Sequence, residues 1–296
     1  MNDRTLTVFG ATGAQGAPVV QEALAAGWRV RAVARDAASV RSRYGDAVEA
    51  YAADLEQPQQ VAAALRGVQA AFVHLPLPSD GQAPQRQLAT FIQAAHGERL
   101  PLTIYTTSGP TGARYGSSPI AMGNAAAAAA LLSSGLRVIV LQPTVYLDNL
   151  RSPLGARLHR DGVMDYPPLA ATRRLSWTTH ADQARLAVAA LDRPGLVGQA
   201  VDIASGKALS GPEAATLLGT WIGRPVVYQP ATVDDFARDL GHSLGSAEMG
   251  AVVADLYRQL DAQPADAAVV DTAALEAQFG IRLPSLAEQV AGWPRP

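Results

Sequence analysis

An apolar run, Leu6-Thr7-Val8-Phe9, breaks at three glycines spaced G-x-x-G-x-x-G and gives way to an Ala-rich segment. In order these are a strand, a tight turn and the start of a helix. Gly10 permits a backbone conformation that side chains disfavour, Gly13 lets a ligand come close, and Gly16 lets the helix lie against the strand. Free amides and the helix dipole then make an anion site suited to the pyrophosphate of a dinucleotide. Thr12, Ala14 and Gln15, between the glycines, belong to the same expected site with Gly10, Gly13 and Gly16.

The rest of the first half repeats the alternation. A helix over 17–26 is closed by Gly27, and the strand 29–34 (RVRAVA) runs into Arg35 and Asp36. At this place a carboxylate holds the ribose hydroxyl of NAD and a cation holds the 2′-phosphate of NADP. Arg35 comes first after the strand and a guanidinium pairs with phosphate, so NADP (NADPH) is the expected cofactor. A strand over 48–52 leads to Asp54 and Leu55, where the adenine end belongs, followed by a helix over 58–65. The strand 70–75 ends in His74 and Leu75, followed by Pro76-Leu77-Pro78. A helix over 82–96, a strand over 102–107 ending in Thr107, a helix over 121–134 and a strand over 137–141 complete the series. Such alternation specifies an α/β fold, a doubly wound parallel Rossmann sheet with ligands at the carboxyl edge of its strands.

The second half changes character. Residues 146–174 are rich in loops, a helix follows over 181–191, and a late strand lies over 200–204. From Ser210 onward the pattern is mostly helical, with one strand over 226–229. The expected division is therefore a cofactor domain over 1–145, completed by about 175–204. Residues 146–174 and 205–296 form a smaller, mostly helical C-terminal substrate subdomain covering the carboxyl edge.

Composition removes several classes. With no cysteine among 296 residues, disulfides, thiolate nucleophiles and zinc–thiolate sites are absent. A formal charge of −2 argues against nucleic acid as partner, and no apolar run reaches membrane-spanning length. The first residues carry no export leader, so a cytoplasmic protein is expected. The run Ala125 to Ala130 reads as ordinary helix, and its small side chains suit a contact in a homo-oligomer.

The chain resembles the NmrA-like branch of the atypical short-chain dehydrogenases, which includes quinone reductases and triphenylmethane reductases. The resemblance rests on TVFGATGAQG (7–16), VRAVARD (30–36), AADL (52–55), SSGLRVIVLQPTVYLDNL (133–150), LYRQLDA (256–262) and FGIRLPSLAEQV (279–290). It implies an oxidoreductase that uses a nicotinamide cofactor. Short-chain dehydrogenases generally work with a Ser and a Tyr-x-x-x-Lys, in which the lysine eases proton transfer from the phenol. Here the corresponding positions fall on Ile120 and Asn124, and only Ser108 remains as a counterpart. A quinone, an enone or a similar conjugated acceptor takes hydride without a strong general acid, so a flat aromatic or conjugated small molecule is the expected substrate.

Candidate catalytic residues follow from the carboxyl edge. Ser108 would hydrogen-bond a substrate oxygen, Tyr146 and Asn149 would stack on and orient the substrate, and His74 would donate a proton. His159, His180 and Asp182 match no ligand spacing, so no metal is expected. His180-Ala181-Asp182 reads instead as a helix start with Thr179 or His180 near the cap. Trp177, Tyr115 and Tyr166 either line a cavity or pack. Two other functions stand beside it: a non-catalytic, NADP-binding redox-sensing regulator, which the missing pair fits equally, and a cyclase or isomerase that repurposes the pocket of this fold for a non-redox step.

Overall fold

Strands and helices alternate through the first half as the apolar pattern requires. The structure, a computed structural model, describes residues 4–75 and 81–295; the Pro76-Leu77-Pro78 segment lies outside them. The first elements are β1 (Thr5–Phe9), α1 (Gly16–Ala25), β2 (Arg29–Ala34), α2 (Ala37–Tyr44), β3 (Glu49–Ala52) and α3 (Pro58–Leu65). Next come β4 (Ala70–His74), α4 (Ala83–Gly97), β5 (Thr103–Thr106), α5 (Pro119–Leu132) and β6 (Val138–Pro143). After these the elements shorten: β7 (Val145–Tyr146), α6 (Ala156–Asp161), β8 (Val163–Met164), β9 (Leu175–Thr178), α7 (His180–Ala190), β10 (Ala200–Ile203) and β11 (Ser205–Leu209). The chain ends with α8 (Gly211–Ile222), β12 (Val227–Tyr228), α9 (Val233–Leu244), α10 (Ala247–Asp261), α11 (Thr272–Phe279) and α12 (Leu286–Ala291).

Seven strands form one sheet in the order β10-β6-β5-β4-β1-β2-β3, and every pairing in it is parallel. The order reverses at β1, which lies between β2 and β4, and a doubly wound sheet binds ligands in the crevice at that point. Side chains alternate between two cores. Leu6, Val8, Val30, Ala32 and Phe72 face α1 and α7, whereas Phe9, Val33, Val73 and Tyr105 face α3 and α4. On that second face Thr7 is fully buried, and its hydroxyl donates to the Ala64 carbonyl at 2.9 Å, serving the last turn of α3.

A third core belongs to the second lobe, where Tyr115, Leu147, Tyr166, Trp177, Trp221 and Tyr257 are buried together. A three-stranded sheet, β11-β9-β7, joins this lobe to the large one. Helix α11 departs from its neighbours: Leu275 and Phe279 are buried in the core that α1 and α7 share with the large sheet.

Several elements go beyond the sequence reading. Helix α2 was not expected, nor were the short strands β7, β8, β9 and β11. Helix α5 begins at Pro119 and ends at Leu132, two residues before the expected span at each end, because Pro119 opens its first turn.

Candidate active site

The glycine turn forms the floor of the crevice. Gly10 has φ +67°, and a Cβ there would lie 2.5 Å from His74 Nε2. A Cβ on Gly16 would lie 2.3 Å from the Gly10 carbonyl oxygen, so α1 sits directly against the end of β1. Gly13 differs: its Cβ would meet only the Gly10 oxygen, at 3.3 Å, and its outer side is open. Its amide closes the turn on Gly10 O at 2.9 Å, whereas the amides of Thr12, Ala14 and Gln15 donate to no backbone carbonyl among the described residues. No side chain caps α1. An uncapped helix start with free amides and an open glycine has the geometry of an anion cradle.

Beside the turn, Asp36 is the cap of α2. Its carboxylate accepts from the amides of Ala38 at 2.8 Å and Ser39 at 3.3 Å. Arg35 is exposed and has no hydrogen bond or ion pair among the described residues. Helix α2 also returns two side chains to the turn: Arg43 donates to the Thr12 carbonyl at 3.1 Å and the Tyr44 hydroxyl to the Ala11 carbonyl at 2.6 Å. Asp54 Oδ1 accepts from the Glu56 amide at 2.9 Å, shaping the turn after β3, and Leu55 is half-buried beside it. The Thr107 hydroxyl likewise serves its own turn, donating to Gly109 O at 2.8 Å.

A buried polar network ties the glycine turn to the sheet edge. Gln183, on α7, is fully buried; its Oε1 accepts from the hydroxyls of Thr106, at 3.1 Å, and Tyr146. Its Nε2 donates to Gln15 Oε1 at 3.3 Å, and the Tyr146 hydroxyl also approaches that oxygen at 3.2 Å. Burial pushes the Tyr146 phenol far up, so it stays protonated. Thr106, Gln183 and Arg43 escaped the sequence reading because their partners lie far away along the chain. The start of α7 was readable: Thr179 accepts from the Asp182 amide at 3.1 Å, three residues on.

Two of the expected catalytic residues lie at this edge with polar atoms unpaired. His74 Nε2 is buried against Gly10 without a partner among the described residues, and Leu75 supplies only its carbonyl, 3.4 Å from His74 Nδ1. Burial holds the His74 imidazole below its usual pKa, and the charge of His180 acts in the same direction. Ser108 has φ +60°, an uncommon conformation for a residue with a side chain, and its hydroxyl is buried and unpaired among the described residues. Asn149 lies elsewhere, with Nδ2 donating to the Tyr166 hydroxyl at 3.1 Å. That hydroxyl pairs with Tyr257 at 2.6 Å in the core of the second lobe.

His180 opens α7, and its ring is 4.4 Å from that of Tyr146. Asp148 Oδ2 accepts from the His180 amide at 3.0 Å, and Oδ1 lies 3.6 Å from Nδ1. His159 and Asp182 are engaged separately, His159 on the Leu150 carbonyl and Asp182 with Arg185 and Gln289. Among the described residues no three His, Asp or Glu side chains converge on a metal-sized space. Trp177 and Tyr115 are core residues, each about 1% exposed. A cavity of about 170 Å³ lies in the second lobe between α6 and α9, lined by Leu154, Arg157, Tyr166, Phe236 and Leu240. No helix among the described residues is long and apolar enough to cross a membrane.

An NAD(P)H azoreductase of Xenophilus azovorans is 31% identical over 272 residues, covering 90% of this chain and 91% of its own. The fold is shared with an NADPH-dependent quinone oxidoreductase of Escherichia coli, solved with NADPH: TM-score 0.77, 22% identity, 97% of this chain and 98% of that one. It is shared equally with the triphenylmethane reductase of Citrobacter sp. in complex with NADP(H), at TM-score 0.76, 21% identity and the same two coverages. Residues 2–270 match the NmrA-like family, and the chain belongs to it.

Proposed function

We propose that this protein is an NAD(P)H-dependent reductase, preferring NADPH, that passes hydride to a flat conjugated acceptor such as a quinone, an enone or an azo compound. The observation that carries the reading is the uncapped start of α1, where open Gly13 and the free amides of Thr12, Ala14 and Gln15 face the switch point of the sheet. The residues present fit a dinucleotide. The amides and the α1 dipole take the pyrophosphate. Arg35, unengaged, takes the 2′-phosphate, with Arg43 beside the turn adding positive charge, while Asp36 is occupied as a helix cap. The turn at Asp54 and Leu55 bounds the adenine, and the edge formed by His74, Leu75 and Thr107 bounds the nicotinamide. When bound, the cofactor supplies the hydride.

The choice of acceptor follows from what the edge lacks. Ile120 has no transferable proton, and Asn124 is spent on the Pro110 carbonyl, to which Nδ2 donates at 3.0 Å. A conjugated acceptor needs positioning more than a strong acid. Ser108 is suited to hydrogen-bond the acceptor oxygen, since its hydroxyl has no partner to lose on turning. Tyr146 positions rather than reacts, because its hydroxyl is held by Gln183 and Gln15. The azoreductase named above supports an enzyme over a regulator without turnover. Calorimetry with NADPH and NADH, followed by cofactor oxidation with a panel of quinones, enones and azo compounds, tests the reading. Tight NADPH binding with turnover is expected; tight binding with no turnover across the panel would point to the regulator or a non-redox enzyme instead.

A further inference from the structure

We propose that His180, backed by Asp148, is the proton donor of the reduction, delivering from Nε2 to a conjugated acceptor atom other than the one that takes hydride. The proposal rests on the reductase reading above. Its geometry separates His180 from every other candidate at the edge. The Tyr146 hydroxyl is enclosed by Gln183 and Gln15, and His74 Nε2 is sealed against Gly10. The Ser108 hydroxyl is far too weak an acid to give up a proton near neutrality. His180 Nε2, in contrast, has no partner among the described residues and is not sealed, and 15% of the side chain is open.

The surroundings of the ring make it a ready donor. Asp148 is fixed by the first amide of α7 and faces Nδ1, which sets the ring orientation and favours the doubly protonated form. Arg151, 3.6 Å from the same Asp148 Oδ1 that faces the ring, disfavours it, as do burial and the positive end of the α7 dipole. Among the described residues, His74 on β4 and the neutral Tyr146 ring on β7 are the other facing groups. The result of these opposed effects is a pKa below the usual histidine value, with burial the largest cause. A lowered pKa means a stronger acid, and the proton released is returned from solvent through the open side. For an acceptor A, an azo N=N, an enone C=C or a quinone that ends with both oxygens protonated, the balance is A + NADPH + H⁺ → AH₂ + NADP⁺: two electrons and one hydrogen arrive as hydride, and the second hydrogen leaves His180 Nε2 with its N–H electrons remaining on the ring.

The test compares wild type with His180→Gln and Asp148→Asn. Calorimetry should give the same NADPH affinity for His180→Gln, since the ring packs on Tyr146 and faces Asp148, neither of which is assigned to the cofactor. With a quinone and with an azo acceptor, the wild-type rate should rise as pH falls from 8 towards 5.5, because only the protonated imidazole donates. His180→Gln should lose about 100-fold at the acidic end and show a flat profile. Asp148→Asn removes the carboxylate that favours the cation, so its profile should move to lower pH. Independently of turnover, NMR titration of the five histidines should show two resonances with lowered pKa, those of His74 and His180, one of which is absent from His180→Gln and shifted further down in Asp148→Asn. A His180→Gln enzyme with the wild-type rate and pH profile would overturn the proposal while leaving the reductase reading intact. A wild type that binds NADPH but reduces nothing in the panel would overturn both.

Discussion

Arg35 and Asp36 are neighbours in sequence and differ in the structure: Arg35 is exposed with no partner among the described residues, whereas both carboxylate oxygens of Asp36 hold amides in the first turn of α2. The proposed function gives Arg35 the 2′-phosphate. Replacing Arg35 with Ala should weaken NADPH by about 10–100-fold, the worth of a charge-assisted hydrogen bond or two, and leave NADH nearly unchanged. Equal loss for both cofactors in calorimetry would remove Arg35 from the phosphate site. Asp36→Ala should instead cost about 1 kcal/mol of stability as a lost cap, seen in urea unfolding, with little change in NADH affinity. At this scale the sequence shows the residues of the turn and the strand ends, because they are consecutive. It hides Gln183, whose three partners come from β5, β7 and the glycine turn, since nothing local marks a glutamine as the node of a buried network.

Among the elements, the β1–turn–α1 unit separates tightly packed glycines from an open one. A methyl on Gly16 would press on the Gly10 carbonyl at 2.3 Å and its carbon at 2.7 Å, and backbone cannot yield there without moving α1 off the sheet. A methyl on Gly13 meets one oxygen at 3.3 Å and otherwise points into the crevice. Gly16→Ala should therefore lower the melting temperature by several degrees, in line with an overpacking cost of about 1–3 kcal/mol. Gly13→Ala should melt within about 2 °C of wild type and yet bind NADPH at least ~10-fold more weakly, each tenfold being about 1.4 kcal/mol. Retained affinity in Gly13→Ala would contradict the placement of the pyrophosphate. Elements with one dominant signal were legible: RVRAVA alternates and became β2 with the expected bounds, and Pro58 to Leu65 became α3. Helix α2 was not, because AASVRSRY buries only Val40 and depends on the Asp36 cap and on Tyr44 and Arg43 reaching the turn. Strand β9, Leu175–Thr178, is buried at all four positions and shows no alternation, so it read as loop.

For the whole molecule, the decisive fact is that the chain does not stay where its late sequence suggests. After α10 has packed in the second lobe, α11 crosses back and buries Leu275 and Phe279 in the core beneath the large sheet, where Arg193 also donates to the Phe279 carbonyl at 2.7 Å. Helix α12 then returns to the second lobe, and its Gln289 reaches the start of α7 through Thr179 and Asp182, at 2.6 and 2.7 Å. The helix that carries His180 and Gln183 is thus held from both lobes, and its position depends on contacts made near the chain's end. Phe279→Ala measures this coupling. Phe279 is fully buried, so its truncation should cost about 3–5 kcal/mol. The loss should appear as one cooperative urea transition with an unchanged slope, followed alike by far-ultraviolet circular dichroism and by tryptophan fluorescence, because Trp28 reports the sheet core and Trp177 and Trp221 the second lobe. Two separated transitions, with the tryptophan signal of the second lobe surviving the first, would mean that the lobes are stable independently and that α11 only rests on the sheet.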